Sequence, residues 1–232
     1  RDLGPLTPLV LIPGMMCDAR MWGGIDRDLG PPVIHHIPSE ADSMSALATL
    51  FLAKAPSRFA LAGLSMGGIL AMDILRQAPD RVTRLALLDT NPRAETAVAQ
   101  ARRGPQIKRA QTGDLEGVMR QDMKPNYLAP GPNKAAILDL CMEMALALGP
   151  EVFARQSRAL RDRPDQQATL AAFTGPALVL MGAEDRLCPL DRHQLMHDLM
   201  PQSRLHIIPG AAHLPPLEQP DATARALRDW LA

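Results

Sequence analysis

The chain has 232 residues, of which 47% are hydrophobic and 22% are charged, so it can bury a sizeable core and does not belong to the disordered class. Its 25 Lys and Arg residues balance its 25 Asp and Glu residues, and no basic or acidic run occurs. This balance argues against nucleic-acid binding and against a charge-driven membrane contact, and no apolar stretch approaches the roughly 18 residues that a membrane span needs.

Short apolar runs alternate with helical patterns along most of the chain. The first run, Leu9–Ile12, is stopped by Pro13-Gly14 and has the continuous apolar character of a strand buried on both faces, as in parallel sheets. Further strands are predicted at 31–38, 59–63, 85–89, 176–182 and 205–208, and helices at 43–54, 67–77, 191–200 and 221–231. This alternation predicts an α/β fold with a mostly parallel, doubly wound sheet that helices cover on both faces.

Residues 92–173 break the alternation, because they show helical patterns such as Lys134–Leu148 and no convincing strand. They carry 12 Lys and Arg residues against 9 Asp and Glu residues, an excess of three positive charges that the rest of the chain balances. We expect a helical cap, inserted into a core made of residues 1–91 and 174–232 and placed over the sheet edge where ligands bind. Lys134–Leu148 is apolar on nearly every side, so we expect it to be buried against that edge, and the positive charge would favour an anionic acyl group.

The motif Gly63-Leu64-Ser65-Met66-Gly67 has the pattern G-x-S-x-G, which occurs by chance somewhere in such a chain with a probability of roughly 3%. Its context raises its significance, since it follows an apolar strand and opens a helix directly. A serine at the tip of such a turn is exposed above the sheet edge, and the flanking glycines leave room for the turn. Ser65 is therefore the candidate nucleophile.

A serine hydroxyl needs a base to take its proton, and the base needs an acid to orient it. His213 follows the last predicted strand and Asp185 follows the strand before it, so both should lie on loops at the edge that carries Ser65. Asp89, at the end of the fourth predicted strand, is a second candidate for the acid, whereas Glu184 is expected to point elsewhere. These residues predict a Ser-His-Asp catalytic triad.

The chain resembles α/β-hydrolase-fold enzymes with a small helical cap, which include enol-lactonases, small esterases and menaquinone-pathway lyases. The matching segments are Val10-Leu11-Ile12-Pro13-Gly14, Gly63-Leu64-Ser65-Met66-Gly67-Gly68, Gly182-Ala183-Glu184-Asp185 and Gly210-Ala211-Ala212-His213-Leu214-Pro215-Pro216-Leu217-Glu218-Gln219-Pro220. The order of the triad, Ser, Asp, His, is also that of the α/β-hydrolases. The chain departs from the family at Pro13, where a histidine usually stands, so the following loop is expected to differ in shape.

The resemblance implies an oxyanion hole made by the backbone N–H groups of Met15 and Met66, with Met16 as a substitute for Met15. It implies a serine hydrolase that cleaves a small carboxylic ester or lactone through an acyl-enzyme. Two alternatives stay open: an elimination or C–C cleavage on the same triad, and a catalytically inactive relative that binds a small ligand.

The sequence gives no indication of a cofactor. It contains no phosphate-binding loop and no dinucleotide fingerprint. His193 and His197 have the i, i+4 spacing of metal ligands, but no third ligand is evident. The three cysteines, Cys17, Cys141 and Cys188, are dispersed and odd in number, which argues against a disulfide framework and favours a reducing cytoplasm. A small-molecule ester or lactone is the expected partner.

Overall fold

The computed structural model describes residues 6–123 and 126–232. Six strands form one sheet: β1 (Leu9–Ile12), β2 (Val33–His35), β3 (Phe59–Leu64), β4 (Val82–Leu88), β5 (Ala177–Gly182) and β6 (Arg204–Ile208). Their order across the sheet is β2-β1-β3-β4-β5-β6, and every neighbouring pair is parallel. The α/β class and the parallel, doubly wound sheet predicted from the sequence are confirmed.

Helices lie on both sides of this sheet and fill the long connection between β4 and β5. They are α1 (Met44–Lys54), α2 (Met66–Gln77), α3 (Ala97–Arg109), α4 (Leu115–Val118), α5 (Lys134–Leu148), α6 (Pro150–Arg161), α7 (Gln167–Ala172), α8 (Leu190–Leu199), α9 (Pro215–Glu218) and α10 (Pro220–Leu231). The described part of the connection between β4 and β5 contains no strand. In the same described ranges, no helix is both long and apolar enough to cross a membrane.

The core has two halves because successive side chains of a strand point to opposite faces of the sheet. In β1, Val10 and Ile12 pack with apolar residues of α1 and α2, whereas Leu9 and Leu11 pack with residues of α10. All four of these β1 side chains are fully buried. A strand that contributes to both halves must be apolar at every position, which explains the continuous runs in the sequence.

Three elements differ from their prediction. Strand β2 covers only Val33–His35 of the predicted 31–38, because the flanking prolines have no N–H group for the sheet. Strand β4 begins at Val82, earlier than the sequence indicated, because the polar residues Thr83 and Arg84 concealed its start; the Arg84 guanidinium donates to the Trp230 carbonyl oxygen at 2.9 Å. Helix α5 has the predicted bounds but is buried on one side only, with the Leu146 side chain 48% exposed. The helix lies on the surface of the protein, so some of its apolar side chains face solvent and are not needed for packing.

The turn from β3 into α2 brings two backbones unusually close together. A Cβ added at Gly63 would lie 2.2 Å from the carbonyl oxygen of Gly67, and one added at Gly67 would lie 2.0 Å from that of Ile12. Both distances are far inside van der Waals contact, and backbone atoms cannot move aside as flexible side chains can. Only glycine therefore allows α2 to start directly at the end of β3 and against β1.

We predict that Gly67→Ala lowers the free energy of unfolding by about 1–3 kcal/mol or more. The added Cβ would overlap the carbonyl group of Ile12, and this is the usual cost of overpacking. Gly14→Ala is the matched control: its Cβ would meet nothing closer than 3.5 Å, so its effect should stay below about 1 kcal/mol. Urea denaturation of the two variants and the parent protein measures the difference. Equal stability of all three proteins would contradict the prediction.

Candidate active site

Ser65 lies at the β3–α2 turn in a backbone conformation that residues with a side chain rarely adopt, with φ 54° and ψ −115°. Its backbone N–H is fixed by a 2.9 Å hydrogen bond to the Leu88 carbonyl oxygen. Among the described residues, the only other non-glycine residues with positive φ are Met16 at 56° and Asp89 at 48°. The three follow β1, β3 and β4 at one edge of the sheet, and strained backbone of this kind clusters at functional sites.

Three predicted site residues form one continuous chain of hydrogen bonds at this edge. The Oγ of Ser65 lies 2.9 Å from Nε2 of His213, and Nδ1 of His213 lies 3.0 Å from Oδ2 of Asp185. His213 and Asp185 are buried. Burial by itself would raise the pKa of Asp185, but the adjacent His213, together with Asp89 and the backbone N–H of Cys188, outweighs it and lowers the pKa to about 2. Asp185 is therefore an ionised acceptor that fixes the orientation of the imidazole.

The loop after β5 holds the Asp185 carboxylate in place. Its Oδ1 accepts hydrogen bonds from the backbone N–H groups of Leu187 at 2.9 Å and Cys188 at 3.0 Å, which leaves Oδ2 for His213. Glu184, one residue earlier, is exposed and takes no part in this arrangement, as the sequence analysis expected. Two backbone donors and one imidazole thus determine the position of the acid.

Asp89, the second candidate for the acid, is placed against Asp185 and not against His213. It is fully buried, and its Oδ1 accepts the backbone N–H of Gly182 at 3.0 Å. Burial and the charge of Asp185 raise the pKa of Asp89 well above its usual range. Its Oδ2 is buried and has no hydrogen-bond partner among the described residues, and the interaction between the two carboxyl groups raises the pKa of Asp89 and lowers that of Asp185. Asp89 therefore favours its neutral form beside an ionised Asp185.

Glu218 fixes the loop that carries His213. One of its carboxylate oxygens accepts the backbone N–H groups of both neighbours of the histidine, Ala212 and Leu214, each at 2.9 Å. Its other oxygen accepts the N–H of Ala129 at 2.7 Å, and the N–H of His213 itself donates to the carbonyl oxygen of Tyr127 at 2.9 Å. In the sequence, Glu218 stands out only as part of the segment 210–220, which resembles the α/β-hydrolases. Its spacing of five residues from His213 carries no signal of this role.

The loop after β1 carries Met15, whose backbone N–H is one of the two groups expected to bind an oxyanion. Among the described residues, no acceptor is present for the N–H of Met15 or for that of Met66, so both are available to a ligand. The N–H of Met16 is not available, because it donates to Oε1 of Gln156 at 2.8 Å. The proposed substitution of Met16 for Met15 is thus disfavoured by a hydrogen bond that the sequence could not reveal.

Gln156 is buried and connects three parts of the chain. Besides accepting from Met16, its Nε2 donates to the carbonyl oxygen of Pro38 at 2.8 Å. Since Gln156 belongs to α6, it ties the connection between β4 and β5 to the loops that follow β1 and β2. Sequence reasoning missed this residue, because an isolated Gln in a helix usually indicates a solvated surface.

Ser65 and His213 open into a cavity of about 380 Å³. One wall comes from the loops at the carboxyl ends of the strands, including Gly14, Met15 and Leu187. Much of the opposite wall comes from residues between β4 and β5: Asn91, Ala94, Glu95, Thr96, Ala99, Arg102, Arg103, Met123, Tyr127, Leu160 and Arg163. A small organic molecule therefore fits between the sheet edge and this helical connection.

The residues that could ligate a metal are already engaged in hydrogen bonds. Donor atoms of Asp185, Cys188 and His213 lie within 4.8 Å of one another, but both His213 nitrogens and both Asp185 oxygens have partners. Nε2 of His193 accepts the N–H of Thr90 at 3.2 Å, and Nδ1 of His197 lies 2.7 Å from Oγ of Ser203. These contacts favour structural roles for both histidines.

The chain belongs to the alpha/beta hydrolase family, whose model it matches over residues 9–226. It is 30% identical over 203 residues to pimeloyl-acyl-carrier-protein methyl ester esterase of Photobacterium profundum, covering 85% of this chain and 80% of that protein. A thermophilic esterase from Thermogutta terrifontis, with malate bound, superimposes with a TM-score of 0.88 at 29% identity, covering 98% and 90% of the two chains.

The enol-lactonase from Burkholderia xenovorans has the same fold, with a TM-score of 0.86 at 19% identity and coverage of 100% of this chain and 93% of that one. The predicted resemblance to α/β-hydrolase-fold esterases and enol-lactonases is confirmed. So is the prediction that the chain is an enzyme of this class.

We predict that Asp89→Asn keeps most of the hydrolytic activity. Asn can still accept from Gly182 and donate an N–H to Asp185, and it tolerates a positive φ. Asp185→Asn should instead lower kcat by about 100-fold or more, because it presents the wrong hydrogen-bonding partner to His213. Turnover of 4-nitrophenyl acetate by both variants measures this. A crippled Asp89→Asn beside a nearly normal Asp185→Asn would make Asp89 the partner of His213.

We predict that Gln156→Leu lowers the free energy of unfolding by about 1–3 kcal/mol, because it leaves the buried N–H of Met16 and the carbonyl of Pro38 without partners. It should also lower kcat, since the loop that carries Met15 loses its anchor. Urea denaturation and ester turnover are the two measurements. Gln194→Leu, on the exposed surface of α8, is the control, and an equal effect of both variants would refute the assigned role.

Proposed function

We propose that this member of the alpha/beta hydrolase family is a serine esterase that cleaves a small carboxylic ester or lactone through an acyl-enzyme. Ser65 is the nucleophile and His213 is the general base. Asp185 orients the imidazole of His213 and stabilises its protonated form. The observation that supports this most strongly is the uninterrupted hydrogen-bond chain from Ser65 Oγ through His213 to Asp185, at the floor of a cavity.

The proposed reaction has two stages. Ser65 Oγ attacks the carbonyl carbon of the ester while its proton moves to Nε2 of His213, and the imidazolium then gives that proton to the departing alkoxide. Water, deprotonated by the same imidazole, hydrolyses the acyl-enzyme and releases the acid. Asp185 stays ionised throughout, because its low pKa and its three hydrogen bonds favour the charged form.

In this proposal the negative oxygen of each tetrahedral intermediate is bound by the N–H groups of Met15 and Met66. Both lack protein acceptors in the part of the chain that the structure describes, and Met66 is the first residue of α2, so its N–H lies at the positive end of a helix dipole. Two such donors commonly stabilise the transition state by several kcal/mol, about 2.7–4 kcal/mol for each donor removed.

We further propose that residues 92–173 form a cap on a core of residues 1–91 and 174–232. Two contacts support this assignment: the Tyr127 carbonyl accepts from His213, and Gln156 holds the N–H of Met16. Residues of this segment also line the cavity beside Ser65. The cap would then select the substrate and limit the access of bulk water to the site.

The choice of an ester follows from the relatives together with the site. The curated relative from Photobacterium profundum is named a methyl ester esterase, and the solved neighbours include an esterase and an enol-lactonase. A lactone is an internal ester, so one mechanism serves both substrates. The volume of about 380 Å³ suits an acyl group of modest size.

We predict that Ser65→Ala abolishes labelling by a fluorophosphonate probe and lowers turnover of 4-nitrophenyl acetate by about 1,000-fold or more, as does His213→Ala. Ser45→Ala, an exposed serine on α1, is the control and should leave both measurements unchanged. Mass spectrometry locates the labelled residue. Labelling that persists in Ser65→Ala would overturn the proposed nucleophile.

A further inference from the structure

The charged side chains that line the cavity are strongly unequal in sign. Among the described residues, four arginines line it against one acid, Glu95; the arginines are Arg102, Arg103, Arg163 and Arg192. Arg102 is exposed on α3, so water can solvate its charge. The other arginines are partly or largely withdrawn from water, and a cation withdrawn from water needs an anionic partner.

Glu95 cannot neutralise both of the arginines that it contacts. Its carboxylate accepts from Arg103 at 2.6 and 3.1 Å and from Arg163 at 3.3 Å. The side chains are 5% exposed for Glu95, 14% for Arg103 and 10% for Arg163. The shorter, paired contacts assign Glu95 mainly to Arg103. Arg163 is left as a buried cation with an incomplete counter-charge.

Arg163 has donor capacity to spare. Its Nε donates to the Arg93 carbonyl oxygen at 2.9 Å and its Nη1 to Glu95, whereas no acceptor for Nη2 is found in the described ranges. Burial lowers the pKa of Arg163, and so does the charge of Arg103, although Glu95 opposes them. Both effects indicate that an additional anion near Arg163 would be stabilising.

Arg192 supplies a second unused donor on the sheet side of the cavity. Its Nη1 pairs with the neighbouring Asp191 at 2.5 Å and its Nε is buried, whereas no acceptor for its Nη2 is found among the described residues. The charges of Arg163 and Arg192 both act on the thiol of Cys188, which also lines the cavity. Arg163, Arg192 and Cys188 line the same cavity, and Cys188 belongs to the loop that holds Asp185.

We propose that Arg163 and Arg192 form a subsite for a free carboxylate on the substrate, so that the preferred substrate is an ester that carries a second, unesterified carboxyl group. This inference rests on the proposed esterase function and specifies its substrate class. A carboxylate is planar and carries one charge with two acceptor oxygens, which matches guanidinium donors on two sides. Its charge compensates the cation that Glu95 leaves unbalanced.

The substrate test compares two esters that differ only in charge: monomethyl adipate, which ends in a carboxylate, and its half-amide, methyl adipamate. The parent enzyme should hydrolyse the carboxylate ester with a kcat/KM about tenfold or more above that of the amide, mainly through a lower KM. A second pair places the group on the alcohol: 4-acetoxybutanoate and its amide. A preference for the anion in either pair supports the subsite and shows which side of the ester faces it.

The variants test whether these two arginines cause the preference. In Arg163→Gln/Arg192→Gln the ratio of the two kcat/KM values should fall towards one, and Arg163→Lys and Arg192→Lys should restore part of it. Arg161→Gln is the matched control, because Arg161 is paired with its neighbour Asp162 as Arg192 is with Asp191, but it does not line the cavity. Its ratio should equal that of the parent protein.

A binding measurement separates the subsite from the esterase proposal. Adipate should raise the melting temperature of Ser65→Ala more than adipamide does, and the double arginine variant in this background should lose the difference. Ser65-dependent hydrolysis without any preference for the anion would overturn the subsite and leave the esterase intact. Selective protection by adipate without hydrolysis of any ester would do the reverse. A preference that survives in the double variant would also overturn the subsite.

Discussion

The geometry of the site depends on one close approach between backbones, at the start of α2. Because Gly63 and Gly67 lack a Cβ, the helix begins immediately after β3 and rests on the carbonyl of Ile12 in β1. This contact fixes the height of Ser65 above the sheet and its distance from the loop that follows β1. The positive φ of Ser65 is tolerated because the sheet and the helix on either side leave the turn no alternative.

Side-chain acceptors that are buried or half-buried hold the loops around this turn. Gln156 anchors the loop after β1, Glu218 anchors both neighbours of His213, and the loop after β5 surrounds Asp185 with backbone donors. In each case a buried N–H group is satisfied by a residue distant in sequence or by a tight turn. Loops held in this way can keep Oγ of Ser65 and Nε2 of His213 within 3 Å, a distance that flexible loops would not maintain.

The charges around the cavity are segregated. Two carboxyl groups lie behind His213. Burial and the charge of Asp185 raise the pKa of Asp89, so Asp89 favours its neutral form and does not repel the ionised Asp185. The arginines lie on the walls above, where Glu95 compensates them only in part. A single buried anion suffices to orient an imidazole. An excess of cations along the walls favours a ligand that carries a negative charge.

The sequence by itself determined the sheet, its connections and the residues of the hydrogen-bonded triad. Continuous apolar runs and G-x-S-x-G are local patterns that can be recognised in the sequence. Because the strands of a parallel sheet end at a common edge, the proximity of Ser65, Asp185 and His213 could be predicted. The tertiary structure decided which acid contacts His213, which N–H groups stay available, and that α5 is buried on one side only. The roles of Asp89 and Gln156 arise from contacts between segments far apart in the chain, and no periodicity or spacing encodes such contacts. The pairing of Glu95 with two arginines has the same origin, because the register of separate helices, and not the pattern within any one of them, brings those charges together.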